Sequence, residues 1–162
     1  MNSINDIADY VILTAKADDN DISLSNLKLQ KLLFYIQAWS YGINKKPLFQ
    51  GDFQAWIHGP VNVEIFKRFK ELEKHLFSEI TLEDVKNKNP KINDEDKGFI
   101  DYILDNYLKY SAPDLERLSH SEEPWIKARG TCGSWDRCET VISHESLISF
   151  YGKKWDEINQ KN

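Results

Sequence analysis

The sequence predicts an all-α fold: a single compact domain of about six helices, with a short irregular or extended insertion after the second helix. Apolar residues return every three or four positions over most of the chain, the signature of helices with one buried face. Serines stand just ahead of several of these runs, where a helix start needs a side-chain acceptor. Only "PLFQGDFQAWI", residues 47–57, breaks the pattern, with Pro47, Gly51 and a brief alternation of Phe53, Ala55 and Ile57 against Gln54 and Trp56. A chain of 162 residues, 41% of them hydrophobic, is enough for one core, so residues 1–162 read as one domain.

Ile4, Ile7, Ala8, Val11, Ile12 and Ala15 mark a first helix with Ser3 as its cap, and the acidic "ADDND" ends it. The next run, "SLSNLKLQKLLFYIQAWSYG", opens on Ser23 or Ser25. Leu29, Leu32, Leu33, Ile36 and Ser40 share a face, and Gly42 is the expected stop. This helix is apolar around much of its circumference, which places it at the centre of the domain. After the insertion, Pro60 is expected in the first turn of a helix, where its missing N–H does no harm; Ile65, Phe69, Leu72 and Leu76 continue one face. Residues 78–98 are polar, contain Pro90 and read as an exposed linker or hairpin. Phe99, Ile100, Ile103, Leu104, Tyr107 and Leu108 give a further helix, and Ser111 with Asp114 forms a capping box at the head of "SAPDLERLSH". "SEEPWIKAR" starts a short helical turn with Pro124 near its front. "RGTCGSWDRC" is a loop, and "SHESLISFYGKKW" is the last helix, with Leu147, Ile148, Tyr151 and Trp155 facing inward.

Charge and composition narrow the function. The net charge is −5, and the basic residues are scattered or set among acids, as in Lys67, Arg68, Lys70 and Glu71. Phosphate binding needs them clustered, so nucleic acid is not the expected main partner. A helix-turn-helix reading fails for the same reason, because no helix is basic on its outer face. No apolar run approaches the roughly 18 residues of a membrane span. "MNSINDIADY" lacks a basic region followed by an apolar stretch, so a cytoplasmic location is expected. There Cys132 and Cys138 are expected to be free thiols. Aromatic residues make up 12% of the chain and serve cores and interfaces alike.

Two clusters carry the candidate chemistry. His58 sits in "AWIHGPV", a corner shaped by Gly59 and Pro60. It is either a general base or ligand, or a ring that locks the turn through a backbone hydrogen bond; no Ser or Cys stands nearby in a recognisable nucleophile setting, which favours locking or recognition. The second cluster is "LSHSEEPWIKAR", with His120, Glu123, Trp125 and Arg129. Glu123 lies in the first turn of a helix, where a carboxylate is electrostatically favoured. It reads as a helix start over a core Trp, or as a polar pocket joining His120 to His58. A zinc site can be drawn from His120, Cys132, Cys138 and His144, but the spacings match no common arrangement, so no metal and no cofactor are expected. GxGxxG, Walker, HExxH and GxSxG patterns are absent.

Four motifs in order, "LKLQKLLFYIQAW", "PLFQGDFQAWIHGPVNVEIF", "LSHSEEPWIKAR" and "ISHESLISFY", resemble the Panacea domain family, which contains the SocA-like antitoxins and the phage-associated GepA-like proteins. The resemblance runs from about Ile4 to Tyr151. Leu29, Lys31, Leu32 and Tyr35 match the family's "LxKLLYxxQ" helix. Ala55, Trp56, Gly59, Pro60 and Val61 match its "AWxxGPV" corner, and His120, Pro124 and Trp125 match its "THxExPW" motif, with Ser119 in place of Thr. The loop "GTCGSWDRC" departs from the family pattern. The resemblance implies a binding role rather than chemistry: a cognate toxin encoded beside the gene as partner and, by analogy with SocA-like members, delivery of that toxin to a ClpXP-type protease. A prophage setting, either a monomer or a homodimer, and an enzymatic or small-molecule role centred on His58 and His120 are compatible with the same residues, as is an autoregulator that binds nucleic acid.

Overall fold

The computed structural model describes residues 1–17 and 22–161. Among them are seven α-helices and one two-stranded antiparallel sheet, so the fold is mainly α rather than all-α. The first helix, α1 (Ile4–Ala15), is capped by Ser3 and buries the predicted face. Of the acidic turn expected to end it, residues 18–21 lie outside the described part.

Helix α2 (Asn26–Asn44), capped by Ser25, runs through the middle of the molecule with every residue from Asn26 to Gly42 buried. Its polar residues are tolerated there because each finds a partner. Gln30 and Asn62 exchange two hydrogen bonds, Gln30 Nε2 to Asn62 O (3.0 Å) and Asn62 N to Gln30 Oε1 (2.8 Å). Gln37 donates to Phe49 O and accepts from Leu48 N. Lys28 donates to Leu108 O, and Ser40 to Lys46 O. Gln30 and Gln37 thereby fasten the 47–62 insertion to the helix. Gly42 does not stop α2, which continues to Asn44 and ends on Lys45 in the left-handed region (φ 58°). Its lack of a side chain serves packing instead: a Cβ there would lie 2.6 Å from Tyr151 Cβ and 2.7 Å from the Tyr151 carbonyl carbon.

The insertion contains β1 (Gln54–Trp56) and β2 (Gly59–Val61), paired Gln54↔Val61, Ala55↔Pro60 and Trp56↔Gly59. Pro60 therefore lies in a strand, not at a helix start. The ladder accommodates it because Ala55 N donates the other way, to Thr140 O (2.9 Å), so the Ala55–Pro60 pair needs no donor from Pro60. The helix begins later, as α3 (Val63–Lys70), with Asn62 as its cap.

Residues 78–93 are largely exposed but neither a hairpin nor a loose linker. They hold a short 3-10 turn (Leu82–Asp84) and bury Ile80 and Ile92. The segment is tied down at its start and its middle: Glu79 accepts from Leu24 N (2.7 Å), and buried Asp9, which also accepts from Arg68 Nη2 (2.5 Å), accepts from the amides of Lys86 and Asn87. Helix α4 (Asp94–Tyr107) starts inside the stretch read as polar linker, capped by Asn93. Then follow α5 (Ala112–His120), with the predicted Ser111–Asp114 capping box, α6 (Glu123–Arg129) and α7 (His144–Gln160). Leu147 and Tyr151 of α7 are buried against α2, while Ile148 and Trp155 are only partly covered. The α2–α7 contact is the most extensive between elements.

Cys132 and Cys138 are bonded to each other, not free. Their Cα atoms are 5.9 Å apart because the loop doubles back, with Cys138 at φ 52°; that separation is what a disulfide requires. The pairing also dissolves the drawn zinc set, since His144 stacks on Tyr41 and bonds Asp52 Oδ1 (2.6 Å). Among the described residues no helix is long and apolar enough to cross a membrane.

Candidate functional site

The hairpin corner, α5 and α6 meet over the first half of α2. Lys31, fully buried on α2, donates from Nζ to Pro60 O (2.8 Å). Four residues on, Tyr35 donates to Glu122 Oε1 (2.6 Å). A helix presents i and i+4 on one face, so a single turn of α2 grips the corner with one side chain and the α5–α6 junction with the other. Trp125 Nε1 donates to Trp56 O (3.0 Å), and Arg129 Nη1 to Ala55 O (3.1 Å), pinning α6 to β1. Gly59 (φ 99°) is wedged in this joint: a Cβ would lie 2.5 Å from Lys31 Cε and 2.8 Å from Ser119 Oγ.

His58 projects from the turn, its Nδ1 2.7 Å from Glu116 Oε1 on α5. The His120 ring stacks on Trp125 at 4.1 Å, and its Nε2 is shut off from solvent with no hydrogen-bond partner. Burial pushes the His120 imidazole below its ordinary pKa; Glu116 pulls it up and Lys31 pushes it down further. Together His58, Glu116, His120, Trp125, Arg129 and Trp135 line one open cleft of about 410 Å³, with Cys132 in its wall. The sequence thus named two histidines that the fold does bring to one place.

Of the other predicted residues, Pro124 is buried and Trp56 lies under the Arg137 guanidinium, 3.6 Å from its ring centre. Glu123 is exposed on the first turn of α6 and faces no part of the cleft wall. Its neighbour Glu122 is the buried carboxylate, accepting from Tyr35 OH, Tyr151 OH (3.1 Å) and Lys154 Nζ (3.1 Å). Glu116, Glu122 and Arg137 carry no spacing signal; their roles come from the tertiary fold.

The Ser119 hydroxyl donates to Glu116 O (2.9 Å), and both cysteine sulfurs are joined. What lines the cleft is a set of rings and the Glu116 carboxylate, over the buried Arg129 guanidinium. Trp135 is 88% exposed at the tip of the 132–138 loop. Arg129 holds that loop from below, with Nη2 donating to Gly133 O (2.6 Å) and Nη1 to Asp136 O (2.7 Å).

Burial lowers the Lys31 pKa from 10.5 to about 7, against a partial pull upward from Glu116. The unfolded chain therefore binds more protons than the folded one between about pH 7 and 10.5, and this group makes stability rise with pH across that window. The cost of keeping the amine charged inside is of order 5 kcal/mol below pH 7. Lys31→Met removes it but leaves Pro60 O unpaired, a loss of about 1–3 kcal/mol. The variant is expected to be more stable than wild type at pH 6 and less stable at pH 10.5, by chemical denaturation at both. A difference that does not change with pH would show that Lys31 keeps its proton throughout.

The family profile described as "Antitoxin SocA-like, Panacea domain" matches residues 29–126. The chain is also similar to the protein named Antitoxin SocA from Caulobacter vibrioides (strain NA1000 / CB15N), with 31% identity over 122 residues. That match covers 70% of this chain and 64% of the relative, so the chain spans just under two thirds of that protein's length. No solved structure matches.

Proposed function

The chain belongs to the SocA-like Panacea domain family, and from that premise we propose that it is an antitoxin-like binding protein, whose toxin docks on the face around the His58–His120 cleft. The observation that carries this reading is Trp135. A tryptophan 88% exposed, on a loop held by Arg129 and closed by a disulfide, is a pre-ordered anchor with nothing of its own chain to cover it. Rigid aromatic anchors next to a shallow cleft are where binding energy concentrates. The match to a protein named as an antitoxin supplies the kind of partner.

The test is co-expression. Each open reading frame flanking the gene is induced with and without this protein, and one neighbour is expected to arrest growth that this protein restores. Trp135→Ala should then weaken the purified complex by about thirtyfold, the scale of a hot spot, and leave the melting temperature essentially unchanged. If no neighbour is toxic, the reading falls. Sequestration and delivery to a ClpXP-type protease separate in the same strains, because only delivery lowers the toxin's level, and only while the protease is present. A second reading, a small-molecule role at the cleft, is favoured by the convergence of His58 and His120 there; loss of function in His58→Gln with toxin binding intact would select it.

A further inference from the structure

We propose that Cys132 and Cys138 form a thiol–disulfide switch, exchanged at the Cys132 sulfur, that sets how firmly Trp135 is presented. The part concerning a partner rests on the docking face proposed above; the chemistry does not. Two features distinguish this pair from a structural staple. The bond spans six residues inside one loop and joins no two elements of the core, so opening it leaves the helices and the hairpin as they are. Access to its two sulfurs is also unequal. Cys138 is 8% exposed, whereas Cys132 is half-buried and lines the open cleft, so an incoming thiolate reaches Cys132 first.

The exchange balances with a thiol of the glutathione or dithiol-protein class. A thiolate attacks Cys132 Sγ, the Cys132–Cys138 bond breaks, and Cys138 leaves as thiolate and takes a proton from water. A second thiolate then attacks the outer sulfur of the mixed disulfide and releases Cys132. Two electrons pass to the pair, and one external disulfide is formed; oxidation is the reverse. Cys132 shares this open cleft with the polar side chains of His58, Glu116 and His120, so a small thiol can approach the sulfur that is attacked.

Reduction is confined in its effect. Arg129 still holds Gly133 O and Asp136 O, and Arg137 still lies over Trp56. What is lost is the closure that keeps Cys138 in the left-handed region and the loop tip in one shape. Re-ordering a residue or so on binding weakens affinity by about tenfold.

The full-length protein is equilibrated in mixtures of reduced and oxidised glutathione, then labelled with iodoacetamide without denaturant, and the labels are counted by mass. The expected result is a reversible passage between none and two labels while far-UV circular dichroism stays constant. Indole fluorescence should change along with it in the wild type, but not in Trp135→Phe. Labels that appear only after denaturation would make the bond a staple and overturn the proposal; two labels at every ratio would show that the bond does not form and overturn it equally. With a partner in hand, the dissociation constant of the wild type should differ about tenfold between the two states, while Cys132→Ser shows the weaker value in both. A partner bound equally well in both states ends the switch but leaves the antitoxin reading standing; absence of any toxic neighbour ends that reading but leaves the labelling result untouched.

Discussion

Gly59→Val is expected to lower stability by about 4 kcal/mol. Two effects of about 2 kcal/mol each add there. The backbone sits at φ 99°, which a β-branched residue adopts only under strain. The new Cβ also falls 2.5 Å from Lys31 Cε and 2.8 Å from Ser119 Oγ, both on fully buried side chains with little room to yield. Gly98→Ala is the matched control. It lies in α4 with nothing within 4 Å of the new atom, and should gain up to about 1 kcal/mol through helix propensity. Urea denaturation followed by circular dichroism reads both. A loss below about 1 kcal/mol in Gly59→Val would mean that the corner is not the joint joining α2, the hairpin and α5.

Glu122→Ala and Glu123→Ala should differ sharply although the residues are adjacent. Glu122 is 4% exposed and accepts from two tyrosines and a lysine. Removing it strands three donors, two of them on fully buried rings, for a loss of about 3–5 kcal/mol. Tyr35 also stacks on Tyr107 at 4.2 Å and Trp39 donates to Tyr107 OH, so the disturbance spreads along α2 into α4. Glu123 is exposed and its removal should stay within about 0.5 kcal/mol. Equal effects would show that the buried network contributes little.

What was legible in the sequence was local. Ser3, Ser25 and the Ser111–Asp114 box cap helices because the acceptor and the amides it satisfies lie within three residues of each other. The 3.6-residue period of α1 and the near-continuous apolar surface of α2 likewise survive, since burial of a helix face leaves a periodic trace. The misread positions are those decided from far away. Pro60 favours a helix start by its own geometry, yet Lys31 and Gln30, about thirty residues earlier, hold the corner extended. Gly42 looks like a stop until Tyr151 packs against it. Cys132 and Cys138 pair because the loop between them turns back, and no spacing announces that. Glu122 and Glu123 have the same side chain and nearly the same place; only the direction in which α6 docks separates a buried acceptor from a surface charge.

The central helix is finished by the last one. Helix α2 has its most extensive contact with α7, about a hundred residues downstream, and Gly42 leaves a slot shaped for the Tyr151 backbone. On the ribosome, then, residues 26–44 emerge about a hundred residues before the helix that makes their most extensive contact. Folding of this domain has to wait for residues 144–160, because contacts of such sequence separation cannot form piecemeal. During that interval the flank of α2 that later meets Tyr151, with Tyr35, Trp39 and Gly42, lacks that cover. A chain cut short before His144 would keep its cleft motifs but lose the Tyr151 and Lys154 donors to Glu122 and the backbone that fills the slot at Gly42.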